Sequence, residues 1–130
     1  MKKLKILLSV VLVTFLFTGC LYNFILPEPE TPTTDPDDPN APEVSFAEDI
    51  VPIFTSATCI SCHNGGQSPN LTGTNVYSNI VPAFINTTDA ESSEIYDYPS
   101  PATSKHSWSK YSSAQAAQVL LWINQGAQNN

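Results

Sequence analysis

Arginine is absent from this 130-residue chain, and three of its five lysines fall within the first five residues. A protein that neutralises phosphates needs a run or patch of Lys and Arg, so nucleic-acid binding is excluded. Methionine occurs once, as Met1, and histidine twice, as His63 and His106. The five glycines form no phosphate-cradling loop, and no segment repeats. No stretch of useful length alternates apolar and polar residues as a half-buried strand does. The longest apolar run, ILLSVVLVTFLF, is too short for a convincing bilayer span.

That run has another use. Lys2, Lys3 and Lys5 precede it, and small residues end it at Thr18, Gly19 and Cys20. Residues 1–19 therefore read as a secretory signal. Phe17-Thr18-Gly19-Cys20 resembles a bacterial lipobox, which implies cleavage before Cys20 and lipid on its sulfur. Phe17 stands where Leu is usual. The expected location is extracytoplasmic and membrane-anchored on the periplasmic side, and Leu21, no clear retention signal, leans it toward the outer membrane. From Cys20 onward, Lys105 and Lys110 face all twelve acidic residues, a net charge of −10. An acidic surface of this kind suits a carrier that meets partners through their basic patches.

Within residues 20–43, the stretch Pro27–Glu43, PEPETPTTDPDDPNAPE, holds six of the eleven prolines, six of the twelve acids and no aromatic. Such a composition builds no core and reads as a disordered, self-repelling tether. Extended, it reaches on the order of 50 Å from the lipid. Residues 44–130 are left as one folded unit, small enough that a bound apolar cofactor would complete its core.

Helical signals bracket this unit. Ser45 and Glu48 form a capping-box pair, and Phe46, Ile50, Ile53 and Phe54 share one face with Pro52 opposite. Ser112 and Gln115 open the clearest helix, with Ala116, Val119, Leu120 and Ile123 facing the core and Gly126 ending it. Trp122 is expected on the flank of that face, beside the glutamines. Short helices are expected near Asn75–Ile80 and Asp89–Tyr96, joined by Gly, Pro, Asn and Ser loops. The fold class is all-α with long loops. Asn70 and Asn86 head Asn-x-Thr acceptor patterns, which carry no weight in a bacterial lipoprotein.

The chemistry lies in Cys59-Ile60-Ser61-Cys62-His63, a C-x-x-C-H sequence that reads as c-type haem attachment. Two thiols on one tight turn can each add to a haem vinyl group, and the next residue's imidazole then lies under the iron. Other readings compete. A thioredoxin-like dithiol wants a preceding strand and a βαβ setting. A zinc site could draw on Cys59, Cys62, His63 and His106, although adjacent Cys62 and His63 are awkward partners on one tetrahedral ion. A plain disulfide across two residues would close little chain entropy.

SFAEDIVPIFTSATCISCHNGG together with LLWINQGAQNN resembles the small single-domain c-type cytochromes of bacterial lipoproteins. The resemblance spans both ends of residues 44–130. It implies a cytochrome c-like fold with crossing terminal helices, one covalent haem c in a crevice, and one-electron transfer to redox partners, not enzymatic turnover. It implies thioether bonds at Cys59 and Cys62 and His63 as the proximal iron ligand. Many such proteins use Met as the second ligand, and here none remains after the signal. His106, in PSPATSKHSWSKYSS before the last helix, lies where the family's distal ligand is expected and becomes the expected sixth ligand. The alternative is a solvated His106 with an open iron position, as in a haem sensor or peroxidase-like enzyme. Lys105 or Lys110 could substitute only as deprotonated amines.

Overall fold

The structure is a computed structural model that describes Asp38 and residues 40–130. The expected signal, Cys20 and most of the acidic linker lie outside the described residues. Every regular element among the described residues is helical, with no strand. None of these helices is long and apolar enough to cross a membrane.

The first helical stretch departs from the expected cap. Ser45 Oγ accepts from the Glu48 N–H (3.2 Å), as anticipated, but the Ser45 N–H donates to Asp49 Oδ2 (2.8 Å) and not to Glu48. The cause is a π-helical turn over Phe46–Ile50, in which the Ile50 N–H reaches Ser45 O (3.2 Å) and the Val51 N–H reaches Phe46 O. Pro52 supplies no N–H, and its ring would collide with the carbonyl four residues back in a regular helix. A wider turn avoids that collision. The chain then continues as α1, Val51–Ser56, with Pro52 exposed in its first turn. Phe46, Ile50, Ile53 and Phe54 are all buried, as their spacing predicts.

Short elements follow where they are expected: α2 over Val76–Ile80, a 3₁₀ turn over Ala90–Ser92 and α3 over Glu94–Asp97. The two Asn-x-Thr sequences have a structural role in the loops before and after α2. Asn70 Oδ1 accepts from both the N–H and the hydroxyl of Thr72 (3.0 and 2.8 Å). Asn86 Oδ1 accepts from the same two groups of Thr88 (3.1 and 2.6 Å). Each is a side-chain mimic of a backbone turn.

The last helix, α4, spans Ser113–Asn124, and the Ser112–Gln115 capping box is closed in both directions (3.2 and 2.8 Å). At its other end Gly126 adopts φ +94°, and the N–H groups of Gly126 and Ala127 reach back to Ile123 O and Trp122 O (2.9 Å each). This paired closure satisfies two carbonyls that would otherwise lack donors. Ala116, Val119, Leu120 and Ile123 are buried as expected.

Trp122 corrects the reading of this helix. It is fully buried, with its ring centre 5.2 Å from that of Phe46 and its Nε1–H donating to Gln128 O (2.9 Å). The C-terminal half of α4 is enclosed on several sides, so Leu121 and Trp122 join the core beside Ile123. A single-face rule underestimates burial for a helix in that position.

The two ends of the domain are tied together by the residues that close it. The Val44 N–H donates to Gln125 Oε1 (3.0 Å), and Gln125 Nε2 donates to Pro42 O (2.8 Å). Asn130 Oδ1 accepts from the Phe46 N–H (2.8 Å), and Asn130 O accepts from the Ala47 N–H (3.0 Å). N–H groups at the start of a helix have no partner within it, and here the C-terminal segment supplies one. With this end of the molecule pinned, α1 hands the chain to the C-x-x-C-H turn at a defined place.

Candidate functional site

Leaving α1, the chain turns sharply at Thr58, whose φ of +58° is left-handed. A β-branched residue there costs about 1–2 kcal/mol, so neighbouring bonds must hold it. Thr58 O accepts from the Ser61 N–H (3.2 Å) and the Ser61 hydroxyl (2.8 Å). The Thr58 and Ser109 hydroxyls share a hydrogen bond of 2.7 Å. The reversal starts a 3₁₀ turn over Cys59–Ser61, and Cys59 O accepts from the N–H groups of Cys62 (3.2 Å) and His63 (3.0 Å). Cys59, Cys62 and His63 thus sit on one compact turn.

Both cysteines are free thiols; Cys59 is half-buried and Cys62 exposed. Burial pushes the Cys59 thiol above its ordinary range, with its own backbone N–H offsetting part of the rise. A redox dithiol needs the opposite, a thiol biased toward the thiolate. The absence of any strand among the described residues also removes the βαβ setting of that reading.

His63 is held from behind. Its Nδ1 lies 2.9 Å from Pro69 O, so the ring donates there and keeps Nε2 as the free acceptor. The Leu71 N–H donates to His63 O (2.7 Å) and fixes the same segment. A metal-binding histidine is commonly oriented in this way by a carbonyl behind it.

His106 stands across from it. The ring centres are 6.3 Å apart and the ring planes differ by 30°. A metal about 2.0–2.1 Å from one nitrogen of each ring puts the ring centres on the order of 6 Å apart. The spacing fits such an ion. His106 Nδ1 is buried and has no hydrogen-bond partner among the described residues. No three His, Cys, Asp or Glu side chains among the described residues come together as a metal site. The four-ligand zinc reading is therefore not assembled among the described residues: the two imidazoles lie near each other and the thiols do not join them.

The loop carrying His106 runs from Pro99 to Tyr111 and is closed at its neck by the Tyr111 N–H donating to Pro99 O (2.9 Å). Lys105 pairs with Asp97, and that hydrogen bond raises its pKa, so it stays a cation. Lys110 Nζ donates to Thr103 O. Both lysines are engaged away from the histidine pair, which weakens their case as ligands.

A cleft of about 170 Å³, open to solvent, lies between the C-x-x-C-H turn and this loop. That volume is below the range of enclosed small-molecule and cofactor sites, about 300–1,000 Å³, so a larger group would extend beyond the cleft mouth. Leu71, Phe84, Ile95 and Tyr111 provide apolar walls, and Cys59, Cys62, His63 and His106 all line it. Trp108 and Tyr98, 78% and 47% exposed, also line the cleft. The structure thus brings together the four residues singled out in the domain. Cys20 lies outside the described residues. Pro69 and Ser109 were missed, because neither carries a signal that spacing alone reveals.

Tyr111 forms part of the floor, its hydroxyl donating to Ile95 O (3.0 Å). Burial first, and the neighbouring Cys59 second, push its hydroxyl pKa far above the ordinary value. An unfolded tyrosine releases its proton near pH 10, so above that pH the folded chain holds more protons than the unfolded one. This contribution to stability is intact below about pH 10 and is lost as pH rises, by up to about 1.4 kcal/mol per unit. Tyr111→Phe should cost about 1–3 kcal/mol at pH 8 by orphaning the Ile95 carbonyl. In urea unfolding, the gap between wild type and variant should narrow by about 1 kcal/mol between pH 8 and pH 11. A constant gap contradicts the assignment.

Compared with known proteins, the chain matches no family model, no curated protein and no solved structure.

Proposed function

We propose that this chain is a membrane-tethered monohaem c-type cytochrome that transfers single electrons and performs no turnover of its own. The observation that carries the reading is the pair of imidazoles 6.3 Å apart beside two free thiols, with no group of three metal-binding side chains among the described residues. Such a pair suits a metal that brings its other four ligands in a macrocycle. Cys59 and Cys62 would anchor the haem, each thiol adding across a vinyl group so that a C–S bond forms and the proton passes to carbon. His63 would be the proximal ligand, its free Nε2 aimed by the Pro69 carbonyl, and His106 the distal one. When bound, haem supplies an iron that alternates between ferric and ferrous states.

The remaining roles belong to the protein. Leu71, Phe84, Ile95 and Tyr111 exclude water from one side of the cleft, while Trp108 and Tyr98 leave an aromatic edge for a docking partner. The acidic chain favours redox partners with basic patches. The N-terminal reading adds lipid at Cys20 and a tether that keeps the domain near a membrane, extracytoplasmic and on the periplasmic side. A cytochrome c-like arrangement is consistent with the contact between Phe46 and Trp122, which joins the first and last helical segments.

The test is an absorption spectrum of the protein produced with a haem-attachment system, oxidised and reduced, beside His106→Ala. Sharp low-spin reduced bands in the wild type and a high-spin spectrum in the variant are expected. A wild type that is already high-spin removes His106 from the ligand set, and no Soret band removes haem altogether.

A further inference from the structure

We infer that His106 is an exchangeable ligand, and that the cleft opposite His63 also binds a small neutral diatomic molecule of the carbon monoxide or nitric oxide type. This inference rests on the haem reading above. It comes from an asymmetry between the two imidazoles. His63 lies on the same turn as both thiols, its Nδ1 is engaged by Pro69 O (2.9 Å), and its carbonyl is held by the Leu71 N–H. His106 has no comparable support. Its Nδ1 is buried and unpartnered among the described residues, so no hydrogen bond from that nitrogen steadies the ring.

A hydrogen bond behind a ligating imidazole fixes its orientation and raises its basicity, and losing such a bond typically weakens metal binding about 10–100-fold. His106 also sits on a loop with no regular helix between Pro99 and Tyr111. Near the ring, that loop is tied to the rest of the chain by the Lys105–Asp97 pair, by the Thr103 hydroxyl donating to Asp97 O (2.9 Å) and by the Thr58–Ser109 hydroxyl contact. These are side-chain bonds, and among the described residues no backbone hydrogen bond near the ring joins the loop to a helix. His63 cannot move without the C-x-x-C-H turn.

The cleft also selects the ligand's charge. No lysine lines it, and the one carboxylate that does is Glu94. With Leu71, Phe84 and Ile95 on the walls, the site offers an anion no counter-charge and suits an uncharged ligand. The exchange is a simple substitution. The bond from the metal to His106 breaks, a bond to the diatomic forms, and the iron stays ferrous with no electron gained or lost.

The test is rapid mixing of the reduced, haem-loaded full chain with carbon monoxide. The low-spin spectrum should convert completely, at a rate that rises with ligand concentration and then reaches a plateau set by His106 departure. His106→Ala should show no plateau and bind about 10-fold faster or more at the highest concentration. A wild type whose reduced spectrum stays unchanged under saturating carbon monoxide overturns the inference and leaves the cytochrome reading intact. A wild type that binds without a plateau overturns it as well, because His106 was then no ligand to displace. A chain that acquires no haem defeats both readings.

Discussion

Replacing both thiols, Cys59→Ser with Cys62→Ser, should leave a chain that holds no haem through denaturation. On a denaturing gel stained for haem, the wild-type band should be positive and the double variant blank. The oxygen of serine does not add to a vinyl group under these conditions, so no thioether can form. His63 and His106 remain, and the double variant can still take up haem reversibly in the native state. Covalent and coordinate attachment are separated in this way. Haem that survives denaturation in the double variant would contradict the roles given to Cys59 and Cys62. The same variant should be less stable, because a ligand held only by coordination stabilises the fold by an amount that grows with the logarithm of its free concentration.

Trp122→Ala should produce the largest loss of stability of any single substitution described above, about 3–5 kcal/mol. The side chain is fully buried, lies against Phe46 and donates to Gln128 O (2.9 Å). Domains are typically stable by about 5–15 kcal/mol, and one this small belongs near the lower end. The variant should therefore unfold at a much lower urea concentration, or be largely unfolded in buffer. Trp122→Phe keeps a ring beside Phe46 and loses the N–H, so its effect should be distinctly smaller. A cost below about 1 kcal/mol for the alanine variant would show that Trp122 is not the centre of the core.

Features that depend on neighbours close in sequence were legible before any coordinates. The Ser112–Gln115 box, the Gly126 stop and the buried faces of both terminal helices follow from spacings of three and four residues. The C-x-x-C-H turn is local in the same sense. What depends on distant packing was not legible. Trp122 was placed at the edge of its helix because periodicity describes one face, and the surrounding chain closes over more than one. The exchange of Glu48 for Asp49 in the first cap needed the wide turn that Pro52 imposes. Gln125 and Asn130 satisfy N–H groups at the start of the first helical segment, more than eighty residues away.

The candidate site divides along the same line. Cys59, Cys62 and His63 announce themselves as a motif, whereas His106 was reached through a resemblance and through the scarcity of other ligands. Its place 6.3 Å from His63 depends on how the Pro99–Tyr111 loop closes, which no local pattern encodes. The Pro69 carbonyl behind His63 depends likewise on the course of the loop between them.

Covalent haem is the central claim, and the intact mass of the denatured wild-type protein, made with a haem-attachment system, tests it most directly. The account predicts the polypeptide plus one haem, with no titratable thiol left at Cys59 or Cys62. A mass equal to the bare polypeptide, with both thiols free to react, would contradict it.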